Sequence, residues 1–153
     1  MKAVNNDNSP FNGVIVPINK PVGITSFGVV HHIRKATGIK KVGHAGTLDP
    51  FAQGVLVVGI GRSATRQLEV FMRQEKEYVA RVVFGTVTDT DDPTGKIIEQ
   101  NNFIMPEPTT LDGVISRYVG EIDQIPPRYS AIKINGVRLY KLARKGIDIE
   151  RQP

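Results

Sequence analysis

Asp49 is the residue of this chain whose setting best suits covalent chemistry. It stands within His44-Ala45-Gly46-Thr47-Leu48-Asp49-Pro50-Phe51-Ala52-Gln53-Gly54-Val55-Leu56, between a glycine-bearing turn and a proline, directly before an apolar run. Proline biases the residue before it toward extended backbone. Gly43 and Gly46 permit a conformation strained for other residues, or a close approach of another group. Residues 55–60 read as a strand buried on both faces. An acid held in a stiff loop at the mouth of a rigid sheet is suited to nucleophilic catalysis. The competing reading is an Asx turn, in which the carboxylate only caps its own backbone. The tetrapeptide Thr-Leu-Asp-Pro alone leaves both open.

The elements that must hold this loop are legible from periodicity. Residues 13–18 read as a first strand, with Pro17 marking an edge or a strand end. Ser26 is placed to cap a helix that turns Phe27, Val30, Ile33 and Ala36 to one face and closes at Gly38. A loop over residues 40–50 then delivers Asp49 to the next strand. Residues 63–73 read as a helix with Ala64, Leu68 and Phe71 or Met72 inward. Over residues 77–84 the period changes to two, predicting a strand with Tyr78, Ala80, Val82 and Phe84 on one face. An acidic turn covers residues 88–95, Ile97 and Ile98 resume the sheet, and a short helix starts at Thr109 or Thr110 and ends at Gly120. Asn135-Gly136 is a hairpin turn joining residues 131–134 to 137–139, and residues 139–145 form a helical turn closed by Gly146. The pattern predicts one α+β domain over residues 13–153, with a mixed, largely antiparallel sheet, flanking helices and a flexible tail at residues 1–12.

Composition narrows the function classes. A chain of 153 residues supports one domain with a real core. Its 40% hydrophobic and 23% charged residues describe a globular chain rather than a disordered one. No apolar run approaches the roughly 20 residues of a membrane span, and the polar N-terminus lacks the apolar core of a secretory signal. The absence of cysteine excludes disulfides and thiolate metal sites and fits the cytoplasm. His31, His32 and His44 have no partners at ligand spacing, so no metal is expected. Asp89, Asp91 and Asp92 are spaced like cation ligands but lack the full EF-hand pattern, and a solvent-facing turn is expected there. The net charge of +5 tilts toward a polyanionic partner. Arg34, Lys35, Lys40, Lys41, Arg62 and Arg66 surround the Asp49 segment, and Arg138, Lys141, Arg144 and Lys145 form a second group. Each group reads equally as a phosphate-binding face or a solvated helix face.

Taken whole, the segment from His44 to Leu56 resembles the catalytic motif of the TruB-type tRNA pseudouridine synthases. Ile18-Asn19-Lys20-Pro21-Val22-Gly23-Ile24-Thr25-Ser26 resembles the family's Lys-Pro-x-Gly-x-Thr-Ser element. Lys76-Glu77-Tyr78, Phe84-Gly85, the run from Thr88 to Gly95, Gln124-Ile125-Pro126-Pro127-Arg128-Tyr129-Ser130-Ala131-Ile132-Lys133 and Gly136-Val137-Arg138-Leu139-Tyr140 follow in the family's order. His44-Ala45 is closer to the bacterial form than to the guide-RNA-dependent relatives. The resemblance implies isomerisation of the T-loop uridine of tRNA to pseudouridine, without metal or cofactor. It makes Asp49 the nucleophile and Tyr78 its active-site partner, against a reading of Tyr78 as a cross-strand aromatic. It places His44 near the position vacated by a flipped uridine, and puts Gly46, Thr47 and Arg62 in contact with substrate. Lys20 is counted with the substrate-binding residues, and its segment is expected to buttress the catalytic loop; Tyr129, Ser130 and Lys133 are expected to be structural.

The resemblance also implies more chain than is present. Members of the family continue with an arginine that pairs with the catalytic aspartate, with apolar residues lining the base pocket, and with a C-terminal RNA-binding PUA domain. On that reading the sequence is a truncated catalytic domain of little activity by itself, with an open sheet edge and exposed apolar surface. Arg62, Arg66 and Arg128 are the arginines present that would have to substitute. Two alternatives stay open: a non-catalytic RNA-binding module or tRNA-folding helper on the same scaffold, and a half-enzyme completed by a separate chain carrying the C-terminal half.

Overall fold

The apolar periodicity of the first half of the chain resolves into a three-stranded antiparallel sheet with a helix on each face. The computed structural model describes residues 9–130, 132–134, 136–147 and 149–152. The chain divides into two compact units, one ending at Val79 and the other beginning at Ala80. In the first unit, β1 (Val14–Lys20) and β2 (Val42–Ala45) both pair with β3 (Gly54–Ile60), giving the order β1-β3-β2. β1 is therefore an edge strand, as Pro17 suggested.

The register sorts the side chains by face. Val16 opposes Val58, Ile18 opposes Leu56 and Val42 opposes Ile60, so these six share one surface. The helix α1 (Ser26–Thr37) covers that surface with Val29, Val30 and Ile33, and Ile39 and Leu48 complete the core. On the other surface Gly43 lies directly opposite Gly59. The second helix, α2 (Arg62–Met72), packs Ala64 and Leu68 there. The approach is close: a Cβ built on Gly59 would lie 3.1 Å from the Ala64 backbone, and one on Gly43 3.3 Å from Leu68 Cδ1.

Several expectations need correction. β3 is not buried on both faces: Val55 is 70% exposed, because α2 covers only the Gly59 end. The cap of α1 is Thr25, whose hydroxyl accepts from Gly28 N–H, and the inward face is Ser26, Val29, Val30 and Ile33. Phe27 and Ala36 point outward, and the Arg34 guanidinium sits 5.4 Å above the Phe27 ring. The span 40–50 is not all loop, since β2 lies inside it. In α2, Phe71 is half-buried and Met72 exposed. Residues 77–84 form no strand. Alternation states which side chains would share a face, but a strand also needs a backbone partner, and none pairs with this segment among the described residues.

The second unit is built from hairpins and short helices. β4 (Thr86–Thr88) pairs antiparallel with β5 (Ile97–Gln100) around the acidic turn. Asp92 closes that turn by accepting from the Thr90 hydroxyl, the Thr94 N–H and the Thr94 hydroxyl at 2.6–2.8 Å. Burial pushes its carboxyl up, but hydrogen bonds from Thr94, Thr90 and the Gly95 backbone outweigh this and hold it below its ordinary value. The solvent-facing turn expected here is what forms, with Asp89 accepting from Lys96 N–H at 2.8 Å. Next come α3 (Pro108–Ile115), with Pro at its start, and a 3-10 turn, Ser116–Tyr118. β6 (Lys133–Ile134) then pairs with β7 (Val137–Arg138) as the expected hairpin, although Ala131 and Asn135 lie outside the described residues. α4 (Leu139–Ala143) buries Leu139 and Ala143. Many apolar side chains stay exposed, among them Val82, Ile104 and Val119. Residues 1–8 of the expected tail lie outside the described residues; Asn12 N–H closes a turn onto the Ser9 carbonyl.

The contact of α2 with the sheet is tight enough to test. Gly59→Ala is expected to lower stability by about 1–3 kcal/mol through overpacking, read as a drop in the urea midpoint.

Candidate active site

One end of the three-stranded sheet gathers most of the residues that the sequence singles out. Lys20 ends β1 opposite Gly54, which begins β3, whereas His44 lies further along the sheet, in β2 opposite Val58. The connection from Gly46 to Gln53 carries Asp49 across this end. Gly46 makes the turn out of β2 with a φ of +100°, a conformation that side chains other than glycine's disfavour.

Asp49 is held through its backbone. The segment before it is pinned by Ser26, whose Oγ accepts from the Leu48 N–H at 2.9 Å and donates to the Leu48 carbonyl at 3.1 Å. The residue after it is pinned by Gly23, whose N–H donates to the Pro50 carbonyl at 2.7 Å. The Asp49 carbonyl accepts from Ala52 N–H at 3.1 Å, closing a turn. The carboxylate itself is exposed and makes no hydrogen bond or ion pair among the described residues. An Asx turn would need the carboxylate on a nearby backbone N–H. That reading is removed, and the acid faces solvent from a rigid loop.

The pins are in turn fixed by Lys20. Its side chain is fully buried and its Nζ donates to the carbonyls of Pro21 and Ile24, at 3.0 and 2.8 Å. Those carbonyls bracket the turn that presents Gly23 and leads to Ser26. A buried amino group needs such acceptors, because an unmade hydrogen bond away from water is costly. Lys20 is thus a support beneath the loop and, being fully buried, not the substrate contact expected of it.

His44 is half-buried, and its Nδ1 donates to the Gly46 carbonyl. A carbonyl can only accept, so this bond sets the proton on Nδ1 and leaves Nε2 available. Thr47 is exposed beside Asp49. Tyr78 is 68% exposed in an irregular segment and makes no hydrogen bond or ring contact among the described residues, so it is not the packed aromatic of a strand. Arg62 stands apart. It follows Ile60 at the opposite end of β3 from Gly54, about 20 Å away at roughly 3.3 Å per residue. Neither Arg62 nor Arg66 pairs with Asp49. At that far end Gly61 N–H donates to the Lys41 carbonyl at 2.7 Å, which brings Lys40 and Lys41 beside Arg62. Two basic groups separated in sequence become one rim.

Sequence reasoning missed the part played by Ser26 and Gly23. The available signal was the pair Thr25-Ser26, which offers two hydroxyls where a helix cap requires one.

The chain is similar to proteins already known. The model described as TruB family pseudouridylate synthase (N terminal domain) matches residues 34–153. The tRNA pseudouridine synthase B of Protochlamydia amoebophila is 48% identical over 145 residues, covering 95% of this chain and 55% of that protein. The tRNA pseudouridine synthase B of Clostridium tetani is 50% identical over 141 residues, covering 92% of this chain and 48% of that protein. Among solved structures, a chain of a Cbf5-Nop10-Gar1 complex aligns with 86% of this chain and 38% of its own length, at 25% identity and a TM-score of 0.49. The chain spans about half the length of the curated relatives it matches.

Replacing Lys20 by methionine keeps an apolar stem of similar length but strips the donor from the Pro21 and Ile24 carbonyls. The expected loss is about 1–3 kcal/mol for each unsatisfied buried acceptor, measured as a lower urea midpoint with an unchanged slope.

Proposed function

The chain belongs to the TruB family of pseudouridylate synthases, and from that premise we propose that residues 13–153 form the N-terminal part of a catalytic domain that isomerises the T-loop uridine of tRNA, at position 55, to pseudouridine. The observation that carries this reading is the Asp49 carboxylate, unpartnered and exposed on a loop whose peptide units are pinned on both sides.

The reaction breaks the bond between uracil N1 and the ribose C1′, turns the freed base, and joins C5 to C1′. The C5 proton is lost and N1 gains one, with no redox change. Such chemistry needs a nucleophile, a means of retaining the detached base and exclusion of water, and it needs neither metal nor cofactor. Asp49 supplies the nucleophilic oxygen. The uridine reaches it only by leaving its stack, and His44, oriented by Gly46, stands at the position the base vacates. Tyr78 offers its ring to the uracil face and its hydroxyl to proton transfer when the base is rejoined. Gly46 and Thr47 present backbone and hydroxyl beside the acid. Arg62, with Lys40 and Lys41, suits phosphates of the same RNA at the far end of the sheet. In this reading the cation facing Asp49 is not among residues 13–153, and the protein works in the cytoplasm on the tRNA T-arm. No helix among the described residues is long and apolar enough to cross a membrane.

Asp49→Ala is expected to abolish tritium release from a T-arm RNA labelled at uridine C5, while binding to that RNA stays within a few-fold of wild type. Release unaffected by the substitution, or absent from the full-length wild-type protein, would overturn the reading. Binding should weaken steeply with salt, and removing one phosphate-facing cation with Lys41→Gln or Arg62→Gln should reduce the slope of log K against log salt by about one.

A further inference from the structure

Ser26 is 2% exposed, among the most completely buried side chains of the molecule. The helix it begins does not use its hydroxyl, because Thr25 already accepts the Gly28 N–H at 2.9 Å. The Ser26 Oγ instead satisfies both the N–H and the carbonyl of Leu48. One hydroxyl does for this residue what a neighbouring strand would do, acting as donor and acceptor together. The consequence is local and directional. The Leu48 carbonyl belongs to the peptide plane that enters Asp49, so fixing it fixes the rotation of that plane and the direction in which the Asp49 side chain leaves the backbone. On the exit side, Pro50 restricts the Asp49 backbone, and the Pro50 carbonyl is tied to Gly23 N–H at 2.7 Å. Among the described residues the carboxylate makes no hydrogen bond or ion pair, so the polar contacts that set its aim within this unit are those of the backbone.

We propose that Ser26 is a positioning residue for the Asp49 carboxylate, acting through the Leu48 peptide and serving turnover rather than RNA binding. The proposal rests on Asp49 being the nucleophile. Ser26→Ala removes both hydrogen bonds and frees the plane that aims the acid. Ser26→Cys keeps the volume but offers only a weak donor and acceptor. A misplacement of about 1 Å at a reacting group lowers turnover by about a hundredfold.

The test is steady-state tritium release by the full-length protein, with Leu48 amide exchange measured alongside. Ser26→Ala should lower kcat by about 10–100-fold with KM for the T-arm RNA within about twofold, and Ser26→Cys should fall between it and wild type. Leu48 amide exchange should accelerate in the same order. Ile60→Ala, a core truncation at the far end of β3, serves as the control: destabilised at least as much, it should keep wild-type kcat well below its Tm. Wild-type kcat in Ser26→Ala, or an equal loss in Ile60→Ala, would overturn the positioning role while leaving Asp49 as nucleophile, provided Asp49→Ala is inactive. If Ser26→Ala does not fold, Ser26→Cys decides: unchanged Leu48 exchange with unchanged kcat counts against the proposal, and a fall in both protection and kcat supports it. Release that survives Asp49→Ala removes the nucleophile itself and therefore the reading beneath.

Discussion

The buried amino group of Lys20 is the contact on which the arrangement around Asp49 depends. It is fully buried and has no carboxylate partner among the described residues, so it takes the two carbonyls of the turn that follows β1. Doing so holds that turn in one shape, and the turn then presents Gly23 and Ser26 to the segment carrying the acid. The order of dependence runs from a buried donor, to a closed turn, to two pinned peptide units, to a free carboxylate. The Lys20 bonds are local in sequence, whereas the pins from Ser26 to Leu48 and from Gly23 to Pro50 join groups remote in sequence but adjacent at one end of the sheet.

The sheet that brings them together is stabilised differently on its two faces. Branched side chains from all three strands pack under α1, and there the contribution is burial of apolar area. Under α2 the paired glycines Gly43 and Gly59 let the helix lie almost on the backbone, with Leu68 filling the space. The first face tolerates exchange among similar side chains; the second tolerates no added atom without movement. Because β3 is central, both constraints meet on the strand that starts immediately after the Asp49 loop.

Functional chemistry is separated along this frame. The acid loop and the buried lysine lie at the Gly54 end of β3, Lys40, Lys41 and Arg62 share the Ile60 end, and the oriented histidine sits between them, opposite Val58. A long polyanion, such as the RNA substrate proposed above, can touch both ends, whereas a small ligand cannot.

Residue types and spacing by themselves determined a good deal. They located the acid between a glycine turn and a proline, the edge character of β1, both helices of the first unit, the acidic turn and the late hairpin. These are local properties: periodicity, proline geometry and turn chemistry act over a few residues and are written directly in them. Tertiary structure decided which hydroxyl caps α1, which face of that helix is inward, and that residues 77–84 lack a ladder partner. It also decided that Gly43 serves close packing while Gly46 serves a turn, and that Arg62 lies far from Asp49. Above all it decided that Ser26 grips Leu48. Such pairings depend on which distant backbone groups arrive unsatisfied at the same place, and a donor does not record its acceptor in its own neighbourhood of the sequence.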